Sequence, residues 1–382
     1  MRQNLECSYR ILYMNFYITG STGFLGGEIL RQLRAVATVL KPVTVYVPIR
    51  DKRGQSGPER FEILKQKYLG TADSMFELRF CAPSAPVPSD AKYVILNAFS
   101  VSFTYDIRKA VLENVTPILD ILDGLDTTRQ RVTFVSTAYV QPPLPYPSTA
   151  HPIPFDGIND PEAVYNAIVN GERSWADVCA DPRNNPQTTL NAYIYAKTLT
   201  EHLLLRHRNV RIVRPSIITA SRDGLECSTT TPPYLCMLGH TMGVFRFTPG
   251  AGITNWVHVD DVAQQIVGVS QTDGKGVVMS TSCAYQGSAA CQIDRWLCWC
   301  SEYTWIFRVL QQCELFVIYI TSGSKARRIV SNTYKNYNHF FLNTWDFEPV
   351  FTCDIAKSCR KILSLISART KKDKLLRRGE TM

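Results

Sequence analysis

A short apolar run, Phe16–Thr19, passes directly into Gly20-Ser21-Thr22-Gly23-Phe24-Leu25-Gly26-Gly27 and then into a helical pattern over Leu25–Val39. Few arrangements tolerate glycines at every third position of a strand-to-helix junction. One glycine permits the tight turn, one lets the backbone approach a pyrophosphate, and one lets the helix pack closely on its strand. The unsatisfied N–H groups of the first helical turn then face the phosphates. The junction therefore predicts a dinucleotide-binding βαβ unit. Thr19, Gly20, Ser21, Thr22, Gly23, Phe24, Leu25 and Gly26 are its candidate cofactor contacts.

The pattern continues along the chain. Apolar runs suited to buried strands recur at Val43–Ile49, Tyr93–Leu96, Val132–Ser136 and Val210–Val213. Helical patterns lie between and after them at Asp106–Leu125, Leu190–His207 and Val259–Val269. Alternation of this kind predicts an α/β fold, a Rossmann-type doubly wound parallel sheet. The chain has 382 residues, room for one such domain and a smaller one. The expected division is a nucleotide-binding domain over residues 12–270 and a divergent, smaller, mainly helical C-terminal region over residues 271–382. Residues 141–188, rich in Pro, Asn and Asp, and residues 221–256 are expected to form substrate-binding excursions above the sheet.

The end of the second strand bears on the cofactor. An acid there would accept a hydrogen bond from the ribose of NAD, whereas Arg50, with Lys52 close behind, offers a fork for the 2′-phosphate of NADP. Asp51 stands one position further on and supplies the acidic alternative. Within the helical pattern of residues 190–207, Tyr193 and Lys197 are four apart and share a face. A phenol beside an ammonium is suited to donating a proton to a carbonyl. Ser136 and Thr137 end a strand, where α/β sheets place ligands, and either hydroxyl can polarise a substrate oxygen. Period-two alternation favours Thr137, with Ser136 as its rival.

The net charge of +9 includes a basic cluster at Lys371, Lys372, Lys374, Arg377 and Arg378. A solvated tail or a peripheral contact with anionic lipid is expected there, and no nucleic-acid partner. The twelve cysteines form no Cys-x-x-Cys pair, so reduced thiols and no metal site are expected. The apolar run Leu315–Ile320 is too short to span a bilayer.

Together these residues resemble the fatty acyl-CoA reductases, a branch of the extended short-chain dehydrogenase/reductase superfamily. The resemblance runs from about Phe16 to Val269. It rests on Ile18–Gly26, Ile49-Arg50 with Gly54-Gln55-Ser56 and Glu59-Arg60-Phe61, and Ser100-Val101-Ser102-Phe103. Asn114-Val115, Phe134–Tyr139, Tyr193–Glu201, Val213–Ile218 and Val259-Asp260-Asp261-Val262 extend it. The resemblance implies that NADPH reduces a long-chain fatty acyl-CoA, through an aldehyde, to a fatty alcohol and CoA. It implies Tyr193 as proton donor, Lys197 as its partner on the ribose, Thr137 or Ser136 on the substrate oxygen, and Asn97, Pro215 and Tyr193 itself as further cofactor contacts. Trp175, Tyr234, Phe245, Phe247 and Trp256 are apolar candidates for lining the acyl chain or for ordinary packing. A location on the cytosolic face, peripheral to the endoplasmic reticulum or peroxisome, is expected. Two departures carry structural expectations: the third-strand candidate Phe76–Phe80 runs into Cys81-Ala82-Pro83 with no Asp, and Pro117 predicts a kink in its helix. Another dehydrogenase with the same Tyr/Lys pair, acting on thioesters, aldehydes or sterols, and a cofactor-binding scaffold are the alternatives.

Overall fold

In the computed structural model of the chain, the described residues are 13–69, 75–102, 105–141, 158–181, 191–223, 227, 228, 231, 234, 253–282, 285, 286, 350–353 and 360–368. Their centre is a seven-stranded sheet. The strands are β1 (Met14–Thr19), β2 (Val43–Pro48), β3 (Phe76–Cys81), β4 (Tyr93–Leu96), β5 (Arg131–Val135), β6 (Val210–Pro215) and a seventh, Gly276–Ser280. Taking β7 (Ile217–Thr219), β8 (Ile253–Thr254) and β9 (Trp256–His258) as the short strands between, the seventh is β10. Their order across the sheet is β10-β6-β5-β4-β1-β2-β3, and every pairing is parallel. The chain builds outward from β1 in one direction to β3, then returns to β4 and builds the other way. The gap between the ends of β1 and β4 is thus the topological switch point, where sheets of this kind bind ligands.

Alternation along each strand feeds two cores. Phe16 and Ile18 of β1 join Val45 and Val47 of β2 under α1 (Phe24–Val36) and α2 (Gly57–Tyr68), along with Val262 and Ile266 of the helix Val259–Ser270. Tyr17 points the other way, to a core with Leu96, Phe134 and Ile212. That face is covered by α3 (Ile107–Asn114), α4 (Thr116–Asp123) and α7 (Ala192–Leu204); α5 (Pro161–Asn170) and α6 (Trp175–Ala180) pack outside them. Val259–Ser270, the eighth helix, is α8. These are the three layers expected of a doubly wound fold.

The structure refines three expectations. The stretch read as one helix over Asp106–Leu125 is two, α3 and α4, meeting at Val115. Pro117 has no N–H for the Glu113 carbonyl, so the ladder restarts there, with Ile118 and Leu119 both donating to the Val115 carbonyl. The third strand is present, pairing with β2 from Val43↔Phe76 to Pro48↔Cys81. The sheet also continues past the boundary expected at residue 271, because β10 pairs with β6 from Gly276↔Arg211 to Ser280↔Pro215. Of the C-terminal region beyond it, only residues 350–353 and a helix at 360–368 are described past residue 286. The basic tail at 371–378 lies outside the described residues. Among the described residues no helix is long and apolar enough to cross a membrane, and no cluster of His, Cys, Asp or Glu is suited to a metal ion.

Candidate active site

The glycine turn is built by exclusion of side chains. Gly20 has φ +71°, and a Cβ there would stand 3.0 Å from the backbone of Ala98 on the β4 side of the switch point. At Gly26 a Cβ would overlap the Gly20 carbonyl oxygen and lie 2.8 Å from the Ser21 Cα. Helix α1 therefore starts against the turn at a separation only glycine permits. Gly23 caps α1 with no side-chain hydrogen bond, and the first turn holds no acid, so an anion meets no competing carboxylate there.

Thr19 ties the turn to the neighbouring strand. Its Oγ1 accepts from the backbone N–H groups of Asn97 at 2.9 Å and Ala98 at 3.0 Å. Asn97 in turn donates through Nδ2 to the Gly20 carbonyl at 3.4 Å. These bonds latch the end of β4 to the end of β1 and fix the floor of the switch point. The Ser21 hydroxyl is buried in the turn with no hydrogen-bond partner among the described residues.

At the end of β2 the structure separates the two charges that competed in the sequence. Asp51 accepts from the Gly57 N–H at 2.7 Å, which commits its carboxylate to the start of α2. Ser56 and Glu59 complete a capping box at the same terminus. Arg50 remains exposed, as does Lys52 in the turn closed by Gln55. A further cation arrives that strand-end reasoning does not find. Arg60, one turn into α2, donates to the Arg50 carbonyl and, through Nη2 at 3.0 Å, to Thr22 of the glycine turn. Its spacing from the strand end was visible in Glu59-Arg60-Phe61, although nothing local marks it as a bridge.

Asn191 caps α7 by accepting from the Ile194 N–H, and so sets the rotation that puts Tyr193 and Lys197 on one face. Lys197 is 3% exposed. Its Nζ donates to the Val135 carbonyl at 2.5 Å and sits over the rings of Phe99, at 3.9 Å, and Phe134, at 4.6 Å. Helix α7 is thereby pinned to the end of β5, immediately before Ser136 and Thr137. Tyr193 meets Phe99 edge-on at 5.6 Å and packs with Tyr139, Ile194 and Met279. Burial drives its phenol pKa well above the ordinary value and lowers Lys197 to about 7, with Glu201 opposing the fall. The Lys197 Nζ stands 6.0 Å from the Tyr193 ring centre. With Nζ engaged by the Val135 carbonyl at that distance, burial sets the direction of the phenol's shift.

Strand β5 ends at Val135, so the alternation that favoured Thr137 does not run as far as residue 137. Thr137 instead caps the short 3₁₀ turn Ala138–Val140, accepting from the Tyr139 N–H at 3.4 Å. Its own O–H proton is left to donate. The Ser136 hydroxyl is buried without a partner among the described residues, while its N–H donates to the Val213 carbonyl. Pro215 ends β6, in the strand next to β5. Of the apolar candidates, Trp175 packs edge-on against Tyr195 at 6.2 Å, and Tyr234 and Trp256 are buried. Phe245, Phe247 and most of the two excursions lie outside the described residues.

Beneath this face, Arg214 of β6 and Glu201 of α7 form an ion pair, 0% and 4% exposed in their side chains. Arg214 Nε donates to both carboxylate oxygens, at 3.0 and 3.2 Å, and Nη2 donates to Oε2 at 2.5 Å. Losing one member of such a pair costs about 3–5 kcal/mol. Sequence reasoning passed over it because its two charges lie on different elements.

A glycine turn at the switch point of a parallel sheet, facing a Tyr-x-x-x-Lys helix, defines a dinucleotide-binding fold of the extended short-chain dehydrogenase/reductase type. The chain belongs to the male sterility protein family of NAD-binding domains, whose family model matches residues 18–80 and 87–266. It is 30% identical over 237 residues to fatty acyl-CoA reductase 1 of Rattus norvegicus, a match covering 54% of this chain and 44% of the rat protein. Against fatty acyl-CoA reductase 2 of Homo sapiens it is 27% identical over 239 residues, covering 53% and 43% respectively. The chain thus matches less than half the length of these relatives. Among solved structures it resembles the terminal R domain of the myxalamid PKS-NRPS pathway, with a TM-score of 0.57 at 18% identity over 99% of this chain and 96% of that one. The reductase domain of a non-ribosomal peptide synthetase from Mycobacterium tuberculosis gives 0.55 at 14% identity, covering 94% and 93%. These structural likenesses bear on the fold alone.

Proposed function

We propose that the chain reduces a long-chain fatty acyl-CoA to a fatty alcohol and CoA, with NADPH as the hydride source and an aldehyde as the intermediate. One observation carries the reading. The Lys197–Val135 hydrogen bond joins the Tyr193/Lys197 helix to the Ser136-Thr137 strand end, beside the switch point that the glycine turn opens. The likeness to fatty acyl-CoA reductases supplies the substrate class.

The residues present fit a phosphorylated dinucleotide. Gly20, Gly23 and Gly26 leave the space that a pyrophosphate would take, at an α1 terminus without a side-chain cap. Arg60 supplies a cation beside Thr22 and the exposed Arg50 a second at the end of β2, while the Asp51 carboxylate is engaged with the Gly57 N–H. The bound cofactor supplies hydride to the carbonyl carbon. Tyr193, kept protonated by burial, donates a proton to the carbonyl oxygen, and the Thr137 hydroxyl donates a hydrogen bond that holds that oxygen. Ser136 offers a second hydroxyl at the same strand end. Lys197 holds the Tyr193 helix against the end of β5 and would contact the ribose of a bound dinucleotide.

The cofactor preference is tested by Arg50→Ala and Arg60→Ala. Each is expected to weaken NADPH by about tenfold or more, the worth of a charge-assisted hydrogen bond, and to leave NADH nearly unchanged. Fluorescence titration of both dinucleotides measures it. Equal losses for the two would remove the 2′-phosphate assignment. Release of one CoA thiol from palmitoyl-CoA for every two NADPH oxidised, the first hydride displacing CoA to give the aldehyde and the second reducing it to the alcohol, tests the reaction itself.

A further inference from the structure

Below the Tyr193/Lys197 pair lies a row of buried charge that the proposed chemistry does not use. Lys197 and Glu201 are successive turns of α7, on the same face. Glu201 is held by three hydrogen bonds from Arg214 of β6, and none of the three side chains is more than slightly exposed. One buried carboxylate therefore pairs with Arg214 and stands one helical turn from Lys197.

We propose that Glu201 and Arg214 are positioning residues that set the charge of Lys197, Glu201 favouring its ammonium form and Arg214 limiting that influence by engaging the carboxylate. The inference rests on the reading of Tyr193 and Lys197 given above.

The surroundings leave this task to no other group among the described residues. From β5 come the Val135 carbonyl and the Phe134 ring, and from the loop after β4 the Phe99 ring, all uncharged. Tyr139 and Tyr193 are phenols that burial keeps protonated. Acids on the neighbouring helices, Glu113, Asp120, Asp123 and Glu162, lie on exposed faces. The carbonyl and the two ring faces offset part of the cost of desolvating the ammonium, and a near counter-charge offsets more. The shift of Lys197 to about 7 agrees with this placement, since burial lowers it and Glu201 alone among the charged groups raises it. Lys197 would then lie between its two protonation states near neutrality, where small changes in the row alter its charge.

The test needs no bound cofactor. A lysine with a lowered pKa in the folded state destabilises the fold while charged in both states. Between about 7 and its ordinary 10.5 the unfolded chain holds the extra proton, so stability rises with pH across that window. Thermal unfolding of the full chain across this range should show the rise, and Lys197→Met should abolish it. Glu201→Gln should move its onset down by about one pH unit, the effect of removing a near opposite charge. Arg214→Gln should move it up. A pair acting only as a brace would lower stability in both variants and leave the onset in place.

Where either single variant fails to fold, the double variant Glu201→Gln/Arg214→Gln removes the whole pair, a change buried sites tolerate better. It should shift the onset downward, by less than Glu201→Gln alone. Shifts of the same sign in the two single variants, an unchanged onset in the double variant, or a rise that survives Lys197→Met would each overturn the proposal. Shifts of the expected signs in a protein that shows no reductase turnover would uphold it and sink the functional reading instead.

Discussion

Tyr193→Phe is expected to lower turnover by about 10²–10⁴-fold, the usual worth of a positioned general acid, while dinucleotide affinity stays as it was. Phenylalanine keeps the edge-on contact with Phe99 and the packing against Ile194 and Met279, so the pocket wall survives the change. What goes is the hydroxyl. Burial holds that hydroxyl well above its ordinary pKa, so it carries a proton throughout the neutral range and is a donor there, not a base. Single-turnover measurements separate the chemical step from binding. A variant that reduces substrate at the rate of the parent would show that the proton comes from elsewhere.

Gly26→Ala should be the most damaging single methyl in the cofactor turn. The added Cβ would overlap the Gly20 carbonyl oxygen and stand 2.8 Å from Ser21 Cα, and all of these atoms are backbone. No flexible side chain gives way, so either the turn opens or α1 lifts from the sheet. A loss of about 1–3 kcal/mol in stability is expected, with at least about a tenfold loss of dinucleotide affinity. Gly268→Ala is the matched control. It lies in α8 with nothing within 4 Å of its added Cβ, and is expected to be neutral or to stabilise by up to about 1 kcal/mol. Urea unfolding and dinucleotide titration on both proteins measure the contrast. Similar losses in the two would mean that the close approach at Gly26 is not what shapes the turn.

The glycine turn was legible because its constraint is local. A strand, three glycines and a helix within about a dozen residues leave little else to build. The strands of the two cores were legible for the same reason, as apolar runs such as Val43–Pro48 and Tyr93–Leu96. Tyr193 and Lys197 share a helix face by spacing alone. What escaped was non-local. β10 is a short edge strand whose first residues are only half-buried, so its period is weak, and pairing with β6 defines it. The competition between Arg50 and Asp51 turned on a backbone N–H six residues away at Gly57. Arg60 reaches Thr22 across 38 residues, and the Glu201–Arg214 pair joins a helix to a strand. Alternation failed at Thr137 because the strand had already ended at Val135.

The central claim is that this chain makes fatty alcohol, and product analysis tests it most directly. The full-length protein, NADPH and a series of saturated acyl-CoAs of increasing length would be incubated together and the lipid products resolved by gas chromatography. The proposed reaction predicts alcohol and one CoA for every two NADPH oxidised from the long-chain members, and no alcohol from the Tyr193→Phe variant. Tight NADPH binding with neither alcohol nor aldehyde at any chain length would contradict the claim, and would leave a dinucleotide-binding protein with another purpose.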